Sequence, residues 1–465
     1  MATRFVNIDR ETPMLLPPDM KDWVAKDDLV RFIVDAVETC DVRLARVNAR
    51  GSGDRQYPPS MMLSLLIYCY GQGLFSSRAI ERATYSHVSV RYLCANEHPD
   101  HDTIATFRRE NASLLESCFV AVLQLARELK AFHRLGTVSV DGTKLGARAS
   151  RRSNRRRNEL EQELAELQTQ IQELLQQAEA ADREETRAPG EALAKELQDK
   201  EQRQALLREA KAQLQARQEA CRRQRQEQAR GEDPEDPSAP SCRVRGATSA
   251  EKTAQTMEEP PAKKDAQRCI NLVEPESRLM RDAHGVYLQG YNAQLVVEAG
   301  AESRSQLIVG VHLSQDGNDR RALGETLAKV PEALRAEITH VVADTGYDNT
   351  DLIYAVEKKW AVTVLCPPQS ATAPEPPTTY RLKKVQQRRR QSAQEMRERL
   401  EQPENQRLYA RRAAASEPVF GVLKNVLGFR RFRLFGLAKA KIELLLLATA
   451  YNLRRLAQQA ALAPS

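Results

Sequence analysis

Apolar residues between Met1 and about Leu129 recur every three or four positions, the spacing of short helices that each bury one face. Pro58 and Pro59 open one of them, with Met62, Leu65, Leu66, Cys69 and Tyr70 on its inward side, and Gly71 and Gly73 end it. Ser76 is placed to cap the next, SSRAIERATYS. In HDTIATFRRE, Asp102 is the expected N-cap, with Ile104 and Phe107 facing inward. Arg78, Arg82, Arg108 and Arg109 are left for the surface. Short helices, tight turns and outward arginines over residues 1–130 predict a helix-turn-helix-like DNA-binding domain. A small bundle that only supports the rest of the chain fits the same pattern.

After Leu129 the period changes. Thr137–Val140 is an apolar run ending at Asp141, and residues 131–157 read as the first part of a sheet domain. From about Asn158 to Arg230 the chain is a helix former. Leu160, Leu164, Leu167, Ile171 and Leu174 alternate by four and three, an a/d seam of just over two heptads. Ala188-Pro189-Gly190 breaks it, and Leu193, Leu197, Leu207 and Leu214 resume it more weakly, because Lys200, Gln204 and Lys211 fall at apolar positions. Residues 158–230 therefore predict an inserted helical hairpin folded on itself, with a coiled-coil dimer contact as the rival. Residues 231–268 are rich in Pro, Glu and Ser and predict a disordered linker.

The sheet resumes over 269–370. GYNAQLVVEA (290–299) and QLIVGVHLS (306–314) are β-rich runs. A helix is expected over 320–329, a strand ending at Asp344, a helix over 350–358 and a strand over 361–366 that Pro367 and Pro368 stop. Residues 371–460 hold a basic segment and terminal helices, one from Glu417 and one over 437–456. Early adjacent strands followed by alternation with helices predict an α/β fold with a mixed sheet.

Composition adds two points. Of 465 residues, 41% are hydrophobic, 29% charged and 5% aromatic; the chain is long enough for two or three domains, and its polarity is concentrated in the middle. The net charge is +7, and the stretch from Arg381 to Arg412, with eleven basic and four acidic residues, has a surplus equal to it. Arg148, Arg151, Arg152, Arg155, Arg156 and Arg157 form a second cluster. Either is explained as a solvated face, but both flank the acidic residues discussed next, where a phosphate backbone would lie. The start lacks a signal-peptide core, and Leu444–Ala448 is too short to span a bilayer, so a soluble, cytoplasmic protein with no membrane partner is expected. The eight Cys include no CxxC pair, and Cys94, His98 and His101 lack a fourth zinc ligand.

Candidate chemistry lies in VSVDGTKLGA around Asp141, HVVADTGYDN around Asp344 and SEPVFGVLKNV around Glu417. Each Asp closes an apolar run and is soon followed by glycine, which delivers a carboxylate to the edge of a sheet. Singly, each would also do no more than start a turn. Together, three oxygen donors without Cys or His suit a pair of hard Mg²⁺ ions, with Mn²⁺ able to substitute. Such a pair, about 3.5–4 Å apart, activates one oxygen of a phosphodiester reaction and stabilises the other. Asn292 and Asp316 sit near strand ends and read as turn and support residues; DGNDR lacks the length and closing Glu of a calcium loop.

In these blocks, and from about Tyr57 to Arg109, the chain resembles the insertion-sequence transposases with an RNase H-like catalytic domain and a DDE triad. One branch carries Tyr, two residues, Arg, three residues, Glu, six residues, Lys. Tyr409, Arg412, Glu417 and Lys424 match it except that the Arg–Glu step is one residue longer, which turns Arg412 away from the Glu417 face. The resemblance implies Asp141, Asp344 and Glu417 as catalytic, with Asp141 bridging two Mg²⁺ ions and the others each holding one. It implies DNA contacts by Lys424, Arg412, Tyr409, Arg108 and Arg109. The partners would be the terminal inverted repeats of the element and target DNA, bound by a homodimer. An RNase H-like endonuclease without strand transfer, and a non-catalytic DNA-binding coiled-coil protein, remain as alternatives.

Overall fold

The apolar spacing of the first 130 residues folds as helices α1 (Leu29–Glu38), α2 (Pro59–Gly71), α3 (Ser77–Ser86), α4 (Val88–Leu93), α5 (His101–Glu110) and α6 (Ala112–Glu128) in a computed structural model. It describes residues 19–47, 56–132, 134–183, 190–230, 269–282, 285–300, 305–369 and 380–462. Proline opens α2 as expected. The cap of α5 is Asp100, not Asp102: Asp100 is extended and accepts from Thr103 N at 2.6 Å, while Asp102 lies inside the first turn. α2 also differs from a one-faced helix. Every residue from Met62 to Gly71 is buried, because other helices enclose it on all sides.

β1 (Thr137–Gly146) leads to a two-stranded neck, β2 (Asn154–Arg156) against β3 (Cys269–Asn271). Between them, α7 (Arg157–Arg183) and α8 (Gly190–Arg230) form the hairpin. Leu160, Leu164 and Leu167 pack against Leu207, Ala210 and Leu214, and Ile270 and Leu272 of the neck close the cluster. Glu163–Arg203 (3.2 Å) and Glu161–Lys211 (3.0 Å) pair across the two helices. These leucines of the seam pack within one chain. The expected linker, 231–268, falls outside the described residues.

The remaining elements are β4 (Arg278–Arg281), β5 (Tyr287–Glu298), β6 (Ile308–Ser314), α9 (Ala322–Leu327), α10 (Glu332–Arg335), β7 (His340–Ala343), α11 (Thr350–Trp360), β8 (Thr363–Leu365), α12 (Tyr380–Glu401), α13 (Pro403–Gly421) and α14 (Leu437–Leu462). The main sheet runs β4-β5-β1-β7-β8, with β6 also on β5. β1 pairs antiparallel with β5 and parallel with β7, the mixed RNase H-like order. The short edge strand β4 is not foreseen by alternation. Neither is the length of β1, which continues through Asp141 instead of turning there.

Helices and sheet share one hydrophobic cluster from Val24 to Leu456. α14 carries buried Leu444, Leu446, Leu447, Tyr451 and Leu453 into it, which explains why its sequence is apolar on more than one face. Arg108, expected at a DNA surface, lies in this junction at 3% exposure. Its Nη1 donates to the Tyr70 hydroxyl and the Phe75 carbonyl, both at 2.8 Å, and Tyr70 donates to Glu443 of α14 at 2.9 Å. Buried and bonded through Nη1 inside the protein, Arg108 is corrected from the expected surface role to a structural one. Arg78, Arg82 and Arg109 are exposed.

Candidate active site

The parallel pairing of β1 and β7 ends at Val140↔Ala343, and the next residue of each strand is an aspartate. At Asp344 the chain leaves the sheet. Its Oδ1 accepts from Gly346 N at 2.8 Å and caps the 3-10 turn Thr345–Tyr347. β1 continues alongside β5, so Asp141 stands where the sheet has just lost its β7 neighbour. Two strands in register therefore deliver two carboxylates side by side to one opening.

A third acid lies close to the pair. Asp319, in the loop after β6, approaches over Gly142. A Cβ on Gly142 would overlap the Gln294 amide and stand 2.7 Å from Asp319 Oδ1. That oxygen accepts from Asn292 Nδ2 (2.7 Å) and Gln294 Nε2 (2.6 Å), with Lys144 Nζ 3.5 Å away. Asn292, Gln294 and Lys144 share this face because they alternate on paired β5 and β1. Tyr347, in the turn that Asp344 caps, donates its hydroxyl to Gln294 Oε1. Asp319 is not among the residues that the sequence singles out; the polar run QDGND and the supporting reading of Asn292 are its only signals. Asp316 in that run is exposed.

The electrostatics follow from crowding. Burial, then the like charges of Asp344 and Asp319, pushes Asp141 up to about 6, against the pull of the Gly142 N–H and the Arg412 guanidinium. Asp344 is raised by burial and by Asp319, offset by Gly346 N–H, Arg412 and Lys144. Asp141 Oδ1 accepts from Gly142 N at 2.7 Å, while its Oδ2 has Arg412 Nη1 at 3.5 Å. Asp344 Oδ2 accepts no hydrogen bond among the described residues. Neighbouring carboxylates with oxygens to spare fit a hard divalent cation. Among the described residues, no group of three or more His, Cys, Asp or Glu side chains is already gathered around a metal-sized point.

α13 lies along the Ser139–Asp141–Thr143 face of β1. Ser416 Oγ is 2.7 Å from Ser139 Oγ, Arg412 reaches Asp141, and Lys424 donates to Thr143 Oγ1. Arg412 thus shares the Ser416 side, turned away from Glu417 as its spacing predicts. Glu417 is exposed and makes no hydrogen bond or ion pair among the described residues. The structure brings Asp141 and Asp344 together and does not join Glu417 to them. Lys424 lies in a π-helical turn, Val422–Val426, so its seven-residue step from Glu417 is not two regular α-turns. Burial lowers the proton affinity of Lys424. Tyr409 is half-buried beside Arg412, and burial raises its hydroxyl.

Comparison with known proteins gives two family matches. Residues 254–453 match the Transposase DDE domain, and residues 18–110 match the Transposase domain (DUF772). The first contains Asp319, Asp344, Glu417 and Lys424; Asp141 precedes it. No curated protein and no solved structure matches the chain.

Proposed function

The chain belongs to the insertion-sequence transposases of the DDE superfamily, and from that premise we propose that it cuts DNA at the ends of a mobile element and joins the freed 3′ ends to target DNA. The family generally uses divalent metal ions. Asp141, Asp344 and Glu417 are the carboxylates assigned to hold two Mg²⁺ or Mn²⁺ ions, which when bound supply an activated oxygen and offset negative charge at phosphorus.

The chain's own groups position the DNA. Asp141 and Asp344 present oxygens from one sheet opening, and Glu417 is carried by α13, which packs against β1. Arg412 and Lys424 place cations on either side of Glu417 along the chain, where phosphates of the cut strand would pass. Lys424, poorly hydrated and held by Thr143, exchanges that hydroxyl for a phosphate oxygen. Tyr409 packs beside Arg412 and limits where its guanidinium points. Arg78, Arg82 and Arg109 give the N-terminal helices an exposed basic surface for the terminal inverted repeats, and a homodimer would hold two ends at once.

The observation that carries this reading is the register Val140↔Ala343, which makes Asp141 and Asp344 neighbours. The test is an assay on short duplexes bearing the inverted repeats that flank the coding region, with Mg²⁺ or Mn²⁺. Wild type should cleave at the repeat end and join the 3′ end to a second duplex. Asp141→Asn and Asp344→Asn should each lose at least about a hundredfold, since the ions' stabilisation amounts to several kcal/mol. Cleavage without joining would reduce the protein to a nuclease; unchanged cleavage by Asp141→Asn would refute the site.

A further inference from the structure

Asp319 has one oxygen tied down and one turned toward the aspartate pair. Oδ1 is fixed by the Asn292 and Gln294 amides at 2.7 and 2.6 Å. Oδ2 lies 3.5 Å from the point a Gly346 Cβ would occupy, and Asp344 Oδ1 lies 2.9 Å from that same point. Asn292 is fully buried and Gln294 donates to Asp319 while accepting from Tyr347, so the clamp is continuous with the turn that Asp344 caps. Lys144 is the cation this arrangement controls. Its Nζ sits by Asp319 Oδ1 at 3.5 Å, with both side chains mostly buried. Lys144 also lies close enough to Asp344 to favour its ionised form.

We infer that Asp319 is a positioning residue: it holds Lys144 away from Asp344 and adds its own negative field, leaving the Asp141–Asp344 pair open to a divalent cation. The inference rests on the reading that Asp141 and Asp344 bind such a cation. Asp319→Asn preserves the shape and both amide bonds to Oδ1 but removes the charge that retains Lys144. The ammonium then competes with the ion for Asp344. Lys144→Met removes the competitor, and in the Asp319→Asn background it should restore part of what was lost.

The test measures Mn²⁺ binding to the full chain by electron paramagnetic resonance of the free ion, without DNA, with thermal midpoints in EDTA recorded alongside. Outer partners of metal ligands typically change affinity by about 10–100-fold. Asp319→Asn should weaken Mn²⁺ by that factor with an unlowered midpoint, and Asp319→Asn with Lys144→Met should bind more tightly than Asp319→Asn alone. Equal affinity of wild type and Asp319→Asn would overturn the proposal, as would a loss that Lys144→Met does not relieve. Absence of binding by wild type, or binding unaffected by Asp141→Asn, would instead remove the metal-binding reading beneath it.

Discussion

Asp141 is a carboxylate that its surroundings disfavour as an anion, and the sign of its effect on stability follows. Its folded value of about 6 lies above the unfolded 3.8. The folded state therefore holds the proton more tightly, and Asp141's contribution to stability is lost as pH rises from about 4 to about 6. At neutral pH the ionised group costs on the order of 2 kcal/mol, after discounting for its 16% exposed side chain. Asp141→Asn should raise the thermal midpoint in EDTA near pH 7.5, with little effect near pH 4, while abolishing cleavage. A midpoint unchanged at both pH values would contradict this. Arg108 shows the opposite case. Arg108→Ala strips a buried cation from Tyr70 and Glu443, a loss of about 3 kcal/mol that calorimetry would register. Arg109→Ala should leave the midpoint alone and reduce the salt slope of DNA binding by about one. Sequence could not separate these adjacent arginines: α5 is ten residues long, and which side faces α2 and α14 is decided by packing. Asp319 was hidden for a related reason, since its donors come from β1 and β5, strands distant in sequence.

At the scale of elements, periodicity is a good guide where one helix or strand meets one neighbour. The leucine seam of α7 predicts a hairpin, and Leu160, Leu207 and Leu214 fill it. Leu207→Ala should cost about 2–5 kcal/mol locally. Hydrogen exchange should accelerate in α7 and α8 while the β1–β5 amides remain protected; uniform acceleration would mean that the hairpin and sheet unfold together. Where an element has several neighbours or its hydrogen bonding shifts, periodicity fails. α2 is buried all round, and the π turn at Val422–Val426 breaks the regular α-helical spacing between Glu417 and Lys424. The aspartates were legible because an apolar run ending in Asp and followed by glycine is a local signal. Their meeting was not, because the last β1–β7 pair is a matter of register between residues about two hundred positions apart.

For the whole molecule, the N-terminal helices, the mixed sheet and α14 share one core, so a DNA-reading surface and the aspartate pair would be held by the same packing. No helix among the described residues is long and apolar enough to cross a membrane. The net charge is +7, with Arg78, Arg82 and Arg109 exposed on the N-terminal helices, and binding to repeat-end duplexes should fall steeply with salt. The central claim concerns a single place: divalent ions held by Asp141 and Asp344, with Glu417 proposed as the third ligand. Loading the protein with Fe²⁺ and adding ascorbate and peroxide generates hydroxyl radicals that cut the backbone beside the bound ion. Fragments should end within a few residues of positions 141, 344 and 417, disappear in Asp141→Asn and be suppressed by excess Mg²⁺. Cuts elsewhere, or cuts that persist in Asp141→Asn, would contradict the assignment.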